Sequence, residues 1–255
     1  ICGIARRLVN FAKLFCGWIP GSLAQANVLG NMLFGALSGS AVAASSAMGG
    51  CIYPIQKEEG YDPAFATAVN IASAPTGLLI PPTSAFIVYS TVAGGVSISA
   101  LFMAGYIPGI LMGLGTMIVA FIYAKKHKYP TTGFVPMKEA LKVTFEAIPS
   151  LLLIVIVIGG IVGGIFTATE GAGVCVLYCL ILSIIYKSID MKLFMKILLN
   201  SAATSGIILF LISASSAMSW VMAYSGIPAA ISSGLMSITD NKYILLLLMN
   251  IILLI

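Results

Sequence analysis

The stretch "SAPTGLLIPPTS", residues 73–84, places three prolines and a glycine in an uncharged part of the chain. Proline has no amide hydrogen, so each of these prolines releases the carbonyl four residues earlier, those of Ile71, Gly77 and Leu78. A carbonyl in hydrocarbon needs a partner, because an unsatisfied polar group there is costly. The same stretch carries four hydroxyl side chains, namely Ser73, Thr76, Thr83 and Ser84. It therefore predicts a broken helix lined with oxygen atoms.

Two kinds of chemistry suit such a break. Hard cations bind oxygen, and discontinuous helices at the bilayer midplane use freed carbonyls to hold sodium. After the break, Thr83 or Ser84 can cap a new helix whose unpaired N–H groups attract a carboxylate. We expect an ion or substrate site here. The alternative is a helix that the prolines merely kink, with neighbouring hydroxyls satisfying the backbone.

A second segment, "GALSGSAVAASSAMGG" at residues 35–50, is rich in small residues. Small residues let helices approach closely in membranes, and packing alone explains the alanines and glycines. Ser38 and Ser40, however, flank Gly39 where a hairpin must turn. If this tip meets the break, hydroxyls and carbonyls surround one small cavity. We expect Ser40, with Thr83 and Ser84, to contact the substrate.

The composition indicates whether these segments lie in water or in a lipid bilayer. The chain is 60% hydrophobic and 8% charged, with a mean hydropathy of +1.08, unlike a soluble protein. No charge occurs between Lys13 and Lys57 or between Asp62 and Lys125. Since one crossing needs about 20 apolar residues, the sequence predicts a polytopic membrane protein. Its long apolar runs lack the alternation of a β-barrel, so we expect an all-α fold.

The net charge of +5 comes from short basic clusters between the apolar runs. By the positive-inside rule these clusters mark cytoplasmic margins. A basic nucleic-acid surface would need a soluble face that this chain does not offer, so we expect no nucleic acid as a partner. The clusters are Arg6, Arg7 and Lys13; Lys125, Lys126, His127 and Lys128; Lys138 and Lys142; and Lys187, Lys192 and Lys196.

The order of segments predicts a fold with re-entrant hairpins, discontinuous helices and an inverted repeat, as in many secondary transporters. Gly3-Ile4 and Gly226-Ile227 open comparable stretches, each followed by a polar loop and an apolar segment. We expect an internal fragment of a longer chain. Its predicted regions are an interfacial arm helix at 1–25, a first re-entrant hairpin and broken helix at 26–100, a return helix and cytoplasmic loop at 101–146, and a second repeat at 147–255, truncated at its hairpin. The hairpin arms are predicted at 26–37 and 42–55.

Four stretches closely resemble the large, DctM-like membrane subunit of tripartite ATP-independent periplasmic (TRAP) transporters. They are "FGALSGSAVAASSAMGG", "GYDPAFATAVNIASAPTGLLIPPTSAFIVYS", "VSISALFMAGYIPGILMG" and "GIFTATEGAGVCVLY". The resemblance covers essentially the whole chain. It implies a sodium-driven, elevator-type importer of carboxylate-bearing solutes, such as organic or sugar acids, in the bacterial inner membrane. It also implies two partners, a small membrane subunit, separate or fused, and a periplasmic substrate-binding protein.

The resemblance also implies which residues bind sodium. Ser38 and Ser40 would supply ligands at the hairpin tip, and the carbonyls of Gly77, Ile80 and Pro82 would supply them in the break. Many relatives have an acidic residue shortly after the hairpin turn, whereas this chain has Ala44. The family's second hairpin and second break are absent, so a second sodium site cannot be assigned.

The remaining polar and sulfur-containing residues suggest less chemistry. Glu170 in "FTATEG" is interpreted either as a buried functional acid or as part of an outer loop. Cys175 and Cys179 share a helix face, but two thiols make a poor metal site, and we expect them to pack.

Three further classes of protein can be weighed against a transporter subunit. An intramembrane enzyme would need a nucleophile and base, or paired acids, at membrane depth, and the sequence does not place them there. We therefore expect no enzyme. A purely structural subunit would have little use for a hydroxyl-lined break. A stand-alone sodium–carboxylate symporter would use the same break, so the residues alone do not separate it from a TRAP subunit.

Overall fold

The computed structural model describes residues 2–131, 133, 136–186, 188–239 and 241–254, with the side chains of 2–6 and 253 left aside. The described residues form twelve helices and contain no strand, which confirms the all-α prediction. The chain separates into two compact units, Ile1–Tyr186 and Lys187–Ile255.

The first unit contains nine of these helices, several of them joined by turns of a few residues. They are α1 (Cys2–Cys16), α2 (Ser22–Ser38), α3 (Ala41–Glu58), α4 (Pro63–Ser73), α5 (Thr76–Leu79), α6 (Ser84–Ala93), α7 (Ile98–Lys126), α8 (Met137–Val162) and α9 (Ala168–Ile185). The second unit contains α10 (Met191–Tyr224), α11 (Ile227–Ile238) and α12 (Lys242–Leu254).

Four helices, α7 to α10, are long and apolar enough to cross a membrane. The segments Pro63–Leu79 and Ser84–Ala93 pass the same test together and are bent by 44° at the residues between them. They are the broken helix that the prolines predict. The described residues thus provide four candidate spans, or five if the bent pair crosses as one, and the protein is a multi-pass membrane protein.

Helices α2 and α3 form the predicted hairpin, but both arms are longer than expected. The predicted arms, 26–37 and 42–55, are extended by α2 to Ser22 and by α3 to Glu58. The extension of α2, residues 22–25, is buried, and the amide of Gln25 donates to the carbonyl of Met117 at 3.0 Å. Because this buried polar side chain has a partner on α7, the helix can begin before its apolar part.

Helix α1 has the amphipathic pattern that the sequence predicts. Its apolar face, with Leu8, Val9, Ala12 and Cys16, is buried by packing against α2, α3 and α8. The predicted region 1–25 ends inside α2, which begins at Ser22. Its placement at the membrane interface stays a prediction.

Two helices begin before the uncharged runs of the sequence. Helix α8 begins at Met137, before the uncharged run that follows Glu146, and α10 begins at Met191, before the uncharged run that follows Lys196. The charged residues in these first turns therefore mark the margin of the apolar segment and not the helix end. The repeat boundary predicted at residue 147 lies within the first unit, and the repeat itself stays a prediction.

The hairpin packs between two apolar clusters. One joins α1 to both arms through Leu8, Phe34, Met48 and Ile52. The other joins α2 to α4 and α7 through Leu23, Val28, Phe65, Val69 and Ala120. These contacts fix the hairpin on both sides, so its tip meets α5 and α6 at a defined position.

Candidate functional site

The hairpin tip touches the break directly. Gly39 ends α2 with a φ of 62°, in the left-handed region that favours glycine. A Cβ atom placed on Gly39 would lie 2.7 Å from the carbonyl oxygen of Pro82 and 3.1 Å from the Cα of Thr83. The hydroxyl of Ser84 donates to the Gly39 carbonyl at 3.4 Å. A side chain at position 39 would therefore separate the tip from the break.

A second close contact lies one helical turn away. A Cβ atom placed on Gly77 would lie 2.8 Å from the Cα of Gly35, 3.5 Å from the Cβ of Ala44 and 3.6 Å from the carbonyl oxygen of Ser40. Both glycines are buried. The backbone of α5 thus lies against both arms of the hairpin, beside the Ser40 carbonyl.

The break itself has the geometry that the prolines dictate. The single turn α5 ends at Ile80, whose backbone is extended at φ −82° and ψ 116°. Pro81 cannot donate to the carbonyl of Gly77, since it has no N–H group. The Pro81–Pro82 peptide bond is cis. Thr83 is extended and accepts a hydrogen bond from the Phe86 amide at 3.5 Å, which confirms that a hydroxyl residue caps the helix after the break.

The two serines of the tip are held by local hydrogen bonds. The Ser38 hydroxyl donates to the Ser40 carbonyl, and the Ser40 amide donates to the Ser38 hydroxyl, both at 3.4 Å. The hydroxyl of Ser40 accepts from the Ala43 amide at 3.3 Å and so caps α3. Ser38 is exposed and Ser40 is partly exposed. The Ser38 hydroxyl oxygen therefore stays close to the Ser40 carbonyl oxygen at an accessible turn.

Four helix ends meet at this junction. Helices α2 and α5 end here, at Gly39 and Ile80, and α3 and α6 begin here, after Ser40 and Thr83. Carboxyl ends carry carbonyls and amino ends carry N–H groups without helical partners, although the Leu79 carbonyl of α5 lies against Gly105 of α7. The predicted residues Ser38, Ser40, Gly77, Pro82, Thr83 and Ser84 lie in this junction. Ile80 adjoins it, with its side chain against α7, where its Cγ1 lies 2.5 Å from a Cβ atom placed on Gly109. One small region thus offers both partial negative and partial positive charge.

Sequence reasoning missed the polar cluster that supports this junction. The Asn70 amide donates to the carbonyl and the hydroxyl of Ser45 on α3, at 3.0 and 3.2 Å. The Asn31 amide on α2 donates to the Asn70 side chain at 3.0 Å and to the Ser73 hydroxyl at 2.8 Å. Asn70 thus connects both hairpin arms to α4. The sequence signal for this cluster is the presence of the asparagine side chains Asn31 and Asn70 in stretches without charged residues.

Ala44 is fully buried in the first turn of α3. Its Cβ lies 3.5 Å from a Cβ atom placed on Gly77. The position therefore faces the break, and in this chain it contributes a methyl group where an acid would contribute a charge.

Glu170 lies in the first turn of α9, where it is exposed. Its carboxylate accepts from the Thr167 amide at 2.8 Å and from the Thr167 hydroxyl at 2.9 Å, while the Thr167 hydroxyl accepts from the Glu170 amide at 3.3 Å. These reciprocal bonds form a capping box. The geometry gives Glu170 a structural role at a helix start.

Cys175 and Cys179 pack against the apolar cluster of Phe102, Leu153, Val157 and Ile161. Within the described ranges, no group of three or more His, Cys, Asp or Glu residues is arranged to hold a metal ion. The predicted packing role of the two thiols therefore agrees with their surroundings.

Comparison with known proteins gives the family. Residues 1–255 match the model of the tripartite ATP-independent periplasmic transporter, DctM component. The chain belongs to this family. Because the family consists of transporter components, the expectation that the protein is not an enzyme is confirmed.

Three relatives align over 99% of this DctM family chain. The uncharacterized protein YgiK of Salmonella typhimurium is 51% identical, and the alignment covers 58% of its length. The sialic acid TRAP transporter large permease protein SiaM of Vibrio cholerae is 36% identical, with 59% of its length covered. The C4-dicarboxylate TRAP transporter large permease protein DctM of Pseudomonas aeruginosa is 37% identical, also with 59% covered. The chain thus spans somewhat less than two thirds of these relatives.

Proposed function

We propose that the chain is the transporting part of a sodium-coupled importer of carboxylate-bearing organic solutes in the bacterial inner membrane. The observation that carries this proposal is the contact between the hairpin tip and the break. It brings carbonyl ends and N–H ends of four helices to one place. A symporter needs such a place, since it binds a cation and an anion together.

The carboxyl ends of the helices offer carbonyl oxygens that can bind the cation. Sodium is proposed to bind the hydroxyl oxygens of Ser38 and Ser40 together with the carbonyls of Gly77, Ile80 and Pro82. Proline leaves the Gly77 carbonyl without a helical donor, and the Ser40 carbonyl lies beside Gly77. Neutral oxygen atoms at a helix break are the ligands that transporters use for sodium.

The amino ends of α3 and α6 offer N–H groups that can bind the carboxylate of the solute. Ser40 caps α3 and Thr83 caps α6, and Gly39 lies against Thr83 and Ser84. Two helix amino termini therefore lie next to each other, and each attracts negative charge through its free N–H groups. We assign the solute carboxylate to this end, with Ser40, Thr83 and Ser84 as contacts. A bound sodium ion nearby would favour the carboxylate further, which couples the two binding events.

The packing suits an elevator-type movement. The hairpin, the broken helix and α7 share the buried contacts at Gly35, Gly77 and Gly109. Large relative motion inside this group would break close backbone contacts. We infer that these elements move together and carry the bound ion and solute across the membrane.

The partners are proposed from the relatives. One relative is the isethionate TRAP transporter permease protein DctMQ of Oleidesulfovibrio alaskensis, at 35% identity. The relatives' names mention sialic acid, C4-dicarboxylates, 2,3-diketo-L-gulonate and ectoine, all of which carry a carboxyl group, and isethionate, which is a sulfonate. We propose that a small membrane subunit and a periplasmic substrate-binding protein act with this chain, and that the solute is an organic or sugar acid.

A stand-alone sodium–carboxylate symporter is the second candidate, since the same junction would serve it. The two candidates differ in whether uptake needs a binding protein. The family membership favours the tripartite form.

The test is uptake into proteoliposomes that contain the full-length chain and its small subunit. Radiolabelled succinate, N-acetylneuraminate and 2,3-diketo-L-gulonate are offered, each with and without the periplasmic binding protein. We expect at least one of them to accumulate under an inward sodium gradient when the binding protein is present. Uptake that is the same under a potassium gradient would contradict sodium coupling. Uptake without the binding protein would favour the stand-alone symporter.

A further inference from the structure

A groove with a volume of about 380 Å³ runs between α4 and α7, apart from the hairpin junction. Ala64, Ala68 and Ala72 line one wall, and Val119 and Ala120 lie on the other. The three alanines follow each other at four-residue intervals, so the wall is about 12 Å long at 1.5 Å per residue. All three alanines are exposed. The groove is therefore a narrow apolar channel on the surface of a membrane-spanning region.

Stacked aromatic rings mark one end of the groove. Tyr123 lines it, and its ring stacks on Phe65 at a centroid distance of 4.3 Å and on His127 at 4.0 Å. Tyr129 stacks on Phe65 at 5.5 Å. Tyrosines are enriched where a span meets the headgroups of the bilayer. This end of the groove thus lies at the membrane–water boundary.

A cluster of lysines follows Tyr123 at this end of α7. Val119, Tyr123 and Lys126 are spaced by four and three residues, so they lie on one face of α7. Lys125 and Lys128 flank Lys126, and the side chains of all three lysines are exposed. The groove also includes Asp62, whose carboxylate accepts from the Phe65 amide at 3.0 Å. Lys126 therefore lies about one turn beyond Tyr123 on the groove face of α7, with Lys125 and Lys128 close by in the chain. The same end also carries the carboxylates of Asp62, in the groove, and of Glu59, near Tyr61.

We propose that this groove is a binding site for one anionic phospholipid of the surrounding bilayer. One acyl chain lies along the alanines of α4, and the phosphate lies at Lys126. Basic pockets between spans on the cytoplasmic side are the places where anionic headgroups bind. The lipid would move with α4 and α7, so its binding would influence the moving part of the protein. The site shares no residue with the proposed sodium or solute site, and its test is independent of transport.

The test is retention of lipid by the full-length chain with its small subunit. The purified complex is titrated with dioleoylphosphatidylglycerol or dioleoylphosphatidylcholine, and bound lipid is counted by native mass spectrometry. We expect phosphatidylglycerol to be retained in preference to phosphatidylcholine. Lys126→Gln removes one charge, which lowers phosphatidylglycerol retention about fivefold. Ala68→Leu fills the groove and lowers the retention of both lipids.

Two control variants, one for the charge and one for the groove, accompany this test. Lys138→Gln removes an exposed lysine from the start of α8, and Ala104→Leu enlarges an exposed alanine of α7 outside the groove. Both controls should retain lipid as the wild type does. Equal retention of the two lipids by the wild type, or equal retention by wild type and both groove variants, overturns the proposal.

The titration of the wild type needs no substitution, so a variant that fails to fold leaves this test intact. As a further measurement, Ala68→Cys is labelled with a membrane-permeant maleimide in the full complex. Labelling that added phosphatidylglycerol slows supports the proposal. A thiol that stays unreactive when all lipid has been removed shows that protein covers the groove, and overturns it.

Discussion

Gly77 lies so close to Gly35 that a Cβ atom on Gly77 would be 2.8 Å from the Gly35 Cα. No side chain can be added at this point without moving the backbone of one segment. The contact joins the first hairpin arm to the single turn before the break. It is the structural basis of the proposed sodium site, because it holds the Gly77 carbonyl beside the hairpin tip.

The first prediction follows from this contact. Gly77→Ala should separate α5 from α2 and weaken the apparent sodium affinity about tenfold, or about 1.4 kcal/mol. The matched control is Gly115→Ala, because a Cβ atom on Gly115 meets nothing within 4 Å. Sodium titrations of solute uptake by the two variants provide the measurement. Equal sodium affinity in both would remove Gly77 from the site.

The second prediction concerns the hydroxyl of Ser40, which caps α3 and is a proposed sodium and solute contact. Ser40→Val removes the cap, at a cost of about 1 kcal/mol, and also removes the ligand. We expect sodium-driven uptake to be lost, and Ser40→Thr to restore most of it because threonine keeps the hydroxyl. Thermal unfolding separates the two effects. If Ser40→Thr is as inactive as Ser40→Val, side-chain volume matters at this position and the hydroxyl does not.

The third prediction concerns Asn70, which connects both hairpin arms to α4. Asn70→Ala removes the side-chain bonds to Ser45 and Asn31, at about 1 kcal/mol for each bond. We expect a lower unfolding temperature and a weaker sodium affinity, although Asn70 is not a proposed ligand. Asn250→Ala is the control, since Asn250 is exposed and donates to Leu246 in its own helix. A fall in unfolding temperature with unchanged sodium affinity would show that the cluster does not position the site.

The fourth prediction is that sodium affinity does not depend on pH. The proposed ligands are hydroxyl and carbonyl oxygens, and Ala44 places no carboxylate beside Gly77. None of these groups titrates between about pH 6 and pH 8.5. The sodium concentration for half-maximal uptake should stay constant over that range. A steep loss of affinity at low pH would mean that a proton competes for the site and that a titratable ligand is missing from it.

The sequence predicted the break and the hairpin because both follow from local chemistry. The adjacent residues Pro81 and Pro82 leave two successive carbonyls without helical donors and so interrupt the helix, and Gly39 between two serines permits a turn. The sequence does not show that the two segments meet, since residues 39 and 82 are far apart along the chain. That contact depends on packing at Gly35 and Gly77, and a pattern in one segment does not reveal it.

The polar cluster around Asn70 was not predicted for a related reason. Its bond to Asn31 joins residues 39 positions apart, and a lone asparagine in an apolar run does not indicate its partner. For Glu170 the sequence allowed two roles, although the spacing from Thr167 to Glu170 is that of a capping box and favours the exposed one. The helix ends were misplaced because polar turns such as Ser22 to Gln25 continue a helix when a neighbour satisfies them.

The most direct test of the sodium site is hydrogen–deuterium exchange of the full-length complex in sodium chloride and in choline chloride at equal ionic strength. Sodium should slow amide exchange in peptides that cover residues 36–44 and 76–86, and Gly77→Ala should abolish that protection. Peptides from residues 191–224 should exchange equally in both salts. Unchanged exchange at the hairpin tip and the break, with sodium protection elsewhere in the chain, would contradict the account.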